Sequence, residues 1–213
     1  MKKLALLTAL LLLCMAMLAA CGGNPTTTPP PGPGPDGPSD GKTTYRMADD
    51  FPTAAGTVED GVWGYYVVSS GSTAKGDYTA LTTVADQAAL GALGLSDGNG
   101  ALASGSAIAA AGKDVAYGFT APRDGVVTLT SETLVRENGG TAAVSVYKNG
   151  VRIWPLAVSS YAVPTAEMAS MLAIDTAVKA GDTIFFRVSA ENGSAAKLKL
   201  SPVVNYSTAA YTA

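Results

Sequence analysis

From Val62 to Tyr206 the sequence is a succession of short runs rich in valine, threonine, isoleucine and aromatic residues, many of them divided by glycine-bearing turns. The clearest are VWGYYVV, YTALTTV, DVAYGFTA, GVVTLTSE, AAVSVYK, VRIWP, LAIDTAV, TIFFRVSA and KLKLSPVVNY. Asp124-Gly125, Asn149-Gly150, Gly181-Asp182 and Asn192-Gly193 stand as turn signals among them. Runs of this length, with no convincing amphipathic helix, predict an all-β fold, an antiparallel sandwich or barrel. Ala85 to Gly112, rich in alanine and glycine around SDGNG, departs from the pattern. It reads mainly as a long connection, with one short helix near Asp86 to Leu93.

The hairpin AAVSVYKNGVRIWP is the sharpest local expectation. Asn149-Gly150 suits a two-residue type I′ turn, in which both central residues need positive φ, so Lys148 opposes Val151. The register then sets Val146 against Ile153 and Val144 against Pro155 on an apolar side. It sets Tyr147 against Arg152 and Ser145 against Trp154 on the other. In TIFFRVSA the same alternation sends Ile184, Phe186 and Val188 to the core and turns Phe185 and Arg187 away from it.

The first 20 residues read as an export signal, with Lys2 and Lys3 ahead of an apolar run and Ala19 and Ala20 before the cut. Leu18-Ala19-Ala20-Cys21 closely resembles the bacterial lipobox, which implies cleavage before Cys21 and a lipid on that cysteine. Cys14 leaves with the signal, so the remaining chain cannot form an internal disulfide and must rest on a hydrophobic core. Losing Lys2 and Lys3 leaves 12 basic against 17 acidic side chains, a net charge of −5. That balance argues against nucleic acid as a partner and against a polybasic membrane grip. Residues 21–42 carry seven of the 12 prolines and read as a Pro/Gly/Thr-rich linker too poor in apolar surface to fold. Residues 43–213 are then the β-sandwich domain, exported and held at the membrane, on the cell surface or the periplasmic side.

Several phrases together, GVWGYY, FTAPRDGVVTLT, VSVYKNGVRIWP, VKAGDTIFFRVSA and SPVVNY, resemble the jelly-roll accessory modules of exported bacterial polysaccharide-degrading enzymes and surface proteins. The resemblance spans about Thr57 to Tyr206. It implies a jelly-roll β-sandwich of carbohydrate-binding character, with polysaccharide or cell-wall glycan as the partner. Modules of this group often carry tryptophan where this chain has Phe119 and Leu200.

The chain contains no histidine, which excludes a Ser-His-Asp triad, a Cys-His pair and histidine-ligated zinc. Glycoside hydrolysis needs only two facing carboxylates. The E-x-D-x-E row of jelly-roll glucanases is absent, however, and Glu132 and Glu137 do not replace it, so a non-catalytic role is expected. No cofactor is expected, apart from a structural calcium for which Asp49, Asp50, Glu59 and Asp60 are the acidic cluster; a solvated loop is the alternative. Sugar binding asks for rings on a rigid, open face. Tyr147 and Trp154 with Arg152 between them meet that pattern if the hairpin's second face is open, and Trp63 with Tyr65 is the second pair. The reading is therefore a lipid-anchored, carbohydrate-binding surface module. A structural or protein-interaction module with the same fold is its rival, and an envelope glycan hydrolase a weaker one.

Overall fold

The structure, a computed structural model, describes residues 41–208. The export signal, Cys21 and all but the last two residues of the linker lie outside the described residues. Fourteen strands form: β1 Thr44–Arg46, β2 Gly56–Thr57, β3 Trp63–Ser69, β4 Thr79–Ala80, β5 Thr83–Gln87, β6 Ala92–Ser96 and β7 Ala101–Ala103. They continue with β8 Ser106–Ala109, β9 Lys113–Thr120, β10 Gly125–Lys148, β11 Val151–Trp154, β12 Tyr161–Ala162, β13 Ala173–Val178 and β14 Thr183–Tyr206. All of the pairings between them are antiparallel, so the all-β expectation holds.

Two long strands organise the rest. β10 and β14, each of 24 residues, pair with one another from Lys148↔Ile184 to Val127↔Tyr206. Both run through two layers. In the first layer the order is β4-β3-β9-β14-β10, with β11 and β12 on the outer edge of β10. In the second, β13, the opening half of β10 and the closing half of β14 lie side by side. β1 and β8 pair with that last segment at different positions. Side chains from both halves of each long strand share one core: Val127, Leu129, Val144 and Val146 from β10, and Ile184, Phe186, Val188, Leu198 and Val204 from β14. The continuous sheet is therefore folded onto itself as a sandwich. The ring of Tyr45 on β1 packs on Phe119 of β9 across it, with centroids 5.3 Å apart. Phe119 and Leu200 are both fully buried here.

Two sequence expectations are corrected. The Ala85–Gly112 region holds no helix; β5 to β8 make an antiparallel meander there, joined to the core through β14. Alanine carries little strand preference, so the strands are specified by burial. Leu95, Leu102, Ala103, Ala107 and Ala109 all lie against the core. Asn192-Gly193, read as a turn between strands, sits inside β14. Both residues have positive φ, and the ladder jumps from Thr141↔Glu191 to Gly139↔Ala196 around them. The turn chemistry makes a bulge that bends the strand between layers.

The hairpin follows the expected turn and then leaves the expected register. Asn149 and Gly150 have φ of 50° and 88°, and Lys148↔Val151 and Tyr147↔Arg152 pair as predicted. The next pair is Val146↔Trp154, with Ile153 as an extra residue on β11. Ile153 and Trp154 consequently both pack toward the main core. Val144 pairs with Tyr161 of β12, and not with Pro155.

Candidate functional site

Tyr147, Arg152 and Trp154 do not form the open patch expected from alternation, because the bulge moves Trp154 to the opposite face from Tyr147. Trp154 is half-buried beside Tyr161, with ring centroids 5.4 Å apart. Arg152 stays opposite Tyr147 and donates to the Ser159 carbonyl at 3.3 Å.

The second face of the first layer is also closed. Val68, Tyr78, Ala116, Tyr147 and Phe185 form a second buried cluster. Tyr78, from the connection after β3, stacks on Phe185 at 3.8 Å and 8° between planes, worth about 0.5–1.5 kcal/mol beyond its buried area. Tyr66 covers this face too: a Cβ at either Gly64 or Gly118 would lie 2.6 Å from its side chain, so the two glycines make room for it. Arg187, expected to point away from the core, does so but is only 3% exposed. Its Nε donates to Asp114 Oδ2 at 2.6 Å, and its Nη1 and Nη2 reach the Ser72 and Ser69 carbonyls. Ser70 Oγ donates to the other Asp114 oxygen at 2.5 Å. Burial alone would favour the neutral guanidine, but the adjacent Asp114 outweighs it and holds Arg187 charged. This buried ion pair pins the Ser69–Ser72 connection onto the sheet. A local pattern of alternation carries no information about a distant segment that closes the face.

Trp63 and Tyr65 do share a face, but they are not open platforms, being 4% and 2% exposed. Both residues line a cleft of about 800 Å³ beside β3, among the buried side chains at its base. Phe51 meets Tyr65 edge-on at 5.0 Å and Phe119 backs Trp63 at 5.2 Å, which fixes both rings. The segment from Asp49 to Val62 supplies the wall and rim. It is held by the β2–β5 pairing and by the Val58 N–H donating to the Thr82 carbonyl at 2.9 Å.

Asp49, Asp50, Glu59 and Asp60 all line this cleft and are exposed. The cleft thus joins two sets of residues that the sequence reading treated separately. The carboxylates do not converge as ligands: among the described residues no group of three or more His, Cys, Asp or Glu side chains is placed to hold a metal ion. Asp50 instead takes Lys42 Nζ at 3.4 Å, and Lys42 also lies 5.0 Å above the Tyr45 ring.

Trp63 Nε1 and the Tyr65 hydroxyl are buried without a hydrogen-bond partner among the described residues. Burial, with a smaller contribution from Asp50, pushes the Tyr65 phenol well above the usual tyrosine range, so it is present as a hydroxyl. A buried polar group left without a partner costs about 1–3 kcal/mol. Two such groups at the base of one cleft are an unmet demand for a polar ligand atom or water. Sequence reasoning found the pair but not their unpartnered state, which arises from the packing of Phe51 and the 49–62 segment around them.

Glu132 and Glu137 are engaged elsewhere. Glu132 accepts from Arg46 Nε at 2.8 Å, and Glu137 pairs with Lys197 at 3.2 Å and Lys199 at 3.5 Å.

No protein-family model matches the chain, and no curated protein matches it. Among solved structures it is similar to a family 35 carbohydrate binding module from Clostridium thermocellum. That match has a TM-score of 0.33 and 12% identity, and covers 70% of this chain and 95% of the module. It is also similar to the catalytic unit of a thermostable GH87 alpha-1,3-glucanase from Streptomyces thermodiastaticus strain HF3-3, with a TM-score of 0.29 and 16% identity. There 80% of this chain aligns with 27% of the glucanase chain.

Proposed function

We propose that this chain is a non-catalytic glycan-binding β-sandwich held at the cell envelope by a lipid on Cys21. The observation that carries the binding half is the cleft beside β3, whose aromatic base holds two unpartnered polar groups beneath an open, polar rim. Such a cleft suits a polyol: hydroxyls accept from Trp63 Nε1 and exchange hydrogen bonds with Tyr65, while other hydroxyls meet the backbone of the 49–62 segment. The site is the Trp63/Tyr65 cleft and not the Tyr147/Arg152/Trp154 hairpin. Binding there is through polar contacts more than ring stacking, because both base rings are covered. Hydrolysis would need one carboxyl poised as an acid opposite a second carboxylate. Asp50, one of the four acids in the cleft, is paired with Lys42.

The test is retention of the full chain, in detergent, on a glycan array and on insoluble polysaccharides including peptidoglycan, beside Tyr65→Phe. Tyr65→Phe removes only an unpartnered hydroxyl, so it leaves stability unchanged or raises it by about 1 kcal/mol while weakening glycan retention. No retention on any polysaccharide overturns the reading. The anchor is checked separately: a clickable fatty-acid analogue should label the wild-type chain in bacteria, and Cys21→Ala should abolish the label.

One observation favours the interaction-module reading instead. Val151, Leu156 and Val158 are 68%, 82% and 55% exposed on the hairpin and the connection after it. Partner capture lost in Leu156→Ser with Val158→Ser, in a chain that retains no glycan, would support that reading.

A further inference from the structure

Resting on the glycan-binding reading, we propose that the cleft beside β3 selects glycans that carry free amino groups. Asp49, Asp50, Glu59 and Asp60 line its rim, and Lys42 is the one basic side chain among the described residues lining it. Lys42 is spent on Asp50. Asp49, Glu59 and Asp60 lie exposed with no side-chain hydrogen bond or ion pair among the described residues, so the mouth keeps uncompensated negative charge.

A neutral sugar leaves those charges to water. A protonated amine on a pyranose carbon brings a cation and three N–H donors to them, in a geometry that an N-acetyl group or hydroxyl does not reproduce. The acidic rim is not the sole ground. The buried, unpartnered Trp63 Nε1 and Tyr65 hydroxyl sit at the base of the same cleft and ask independently for a ligand with hydrogen-bonding oxygens. Rim and base together describe an amino sugar: cationic on one side, hydroxyl-bearing on the other. An anionic sugar such as a uronic acid is disfavoured by the same charges.

The experiment titrates the full chain in detergent with three oligosaccharides of equal length, made of glucosamine, N-acetylglucosamine and glucose. Calorimetry is run at low salt and at about 1 M salt, where screening acts within about 3 Å. The glucosamine oligomer should bind about tenfold tighter than the N-acetylated one at low salt, the sum of several exposed charge contacts, and lose most of that margin at high salt.

The triple variant Asp49→Asn, Glu59→Gln, Asp60→Asn should abolish the preference and leave affinity for the glucose oligomer unchanged. All three positions are exposed, so the fold should persist. Tyr65→Phe should weaken all three ligands and keep their ranking. Equal affinity for the amino and N-acetyl oligomers overturns the inference while the glycan reading stands. A preference that survives in the triple variant also overturns it, because the attraction is then to the acidic chain as a whole. Binding of none of the three overturns the inference, and the glycan reading is then decided by retention on the array.

Discussion

At the scale of single residues, Asp114 is a heavily committed buried carboxylate, answering Arg187 and Ser70 at once from a position 2% exposed. Removing one member of a buried pair leaves the other charge without compensation. Asp114→Ala should therefore cost about 3–5 kcal/mol in chemical denaturation. Replacing both partners, with Asp114→Leu and Arg187→Met, should recover most of that loss. A double variant as unstable as the single one would show that the serine and backbone contacts, and not the charge pair, hold the Ser69–Ser72 connection. Nothing in the sequence marks Asp114 or Arg187 as partners, because they stand 73 residues apart and meet only through the pairing of β14 with β9.

At the scale of elements, turns and alternation were readable and irregularities were not. The Asn149-Gly150 turn and the inward set Ile184, Phe186 and Val188 follow from local chemistry, and the structure contains both. The extra residue at Ile153 has no glycine to announce it, yet it decides which face Trp154 occupies and so dissolved one expected site. The meander β5–β8 escaped notice because alanine and glycine mark no strand pattern. One contact that ties it to the sandwich is the Tyr117 hydroxyl, which lies 2.8 Å from the Ala103 carbonyl and 2.7 Å from that of Ser106. Tyr117→Phe should leave those buried carbonyls short of a donor, cost about 1–2 kcal/mol, and speed amide exchange in β7 and β8 more than in β9. Uniform acceleration across all three strands would mean that the meander and the sandwich open as one unit. The Trp63/Tyr65 pair was legible as two rings on one face. Its cleft was not, since the wall comes from a segment that has few strand signals.

At the scale of the whole molecule, five tyrosines and two aspartates among the described residues shape how stability responds to pH. Tyr65, Tyr66, Tyr78 and Tyr117 are all raised, chiefly by burial. Burial also pushes Tyr206 up to about 12. A group whose folded pKa is raised contributes stability that is complete below its unfolded value, about 10 for tyrosine, and is lost as pH climbs through the folded one. Stability should accordingly fall from about pH 10 upward, followed by thermal melts with phenolate absorbance as the second signal. On the acid side, burial would raise Asp97 and Asp182, but hydrogen bonds outweigh it and both are lowered: Asn99 and Gly100 N–H groups for Asp97, Lys179 N–H and Asn149 for Asp182. Their contribution is present above the ordinary aspartate value of about 3.9 and disappears as pH falls below it. With no histidine in the chain, the curve between these limbs should be flat. A transition near neutrality would contradict this assignment.

The pairing of β1 with the closing residues of β14 has a mechanical meaning. A pull applied on the amino-terminal side of Thr44 enters the sandwich at β1 and passes into β14 at Asn205, Val204 and Val203. The chain leaving β1 runs directly into the segment that builds the cleft. Load between a fixed amino terminus and a ligand in that cleft is therefore carried by β1, its short ladder and the 49–62 segment. β13 and the hairpin stand off the line of force. Under traction the domain would yield first beside the proposed site, so grip and mechanical strength would be decided by the same few residues.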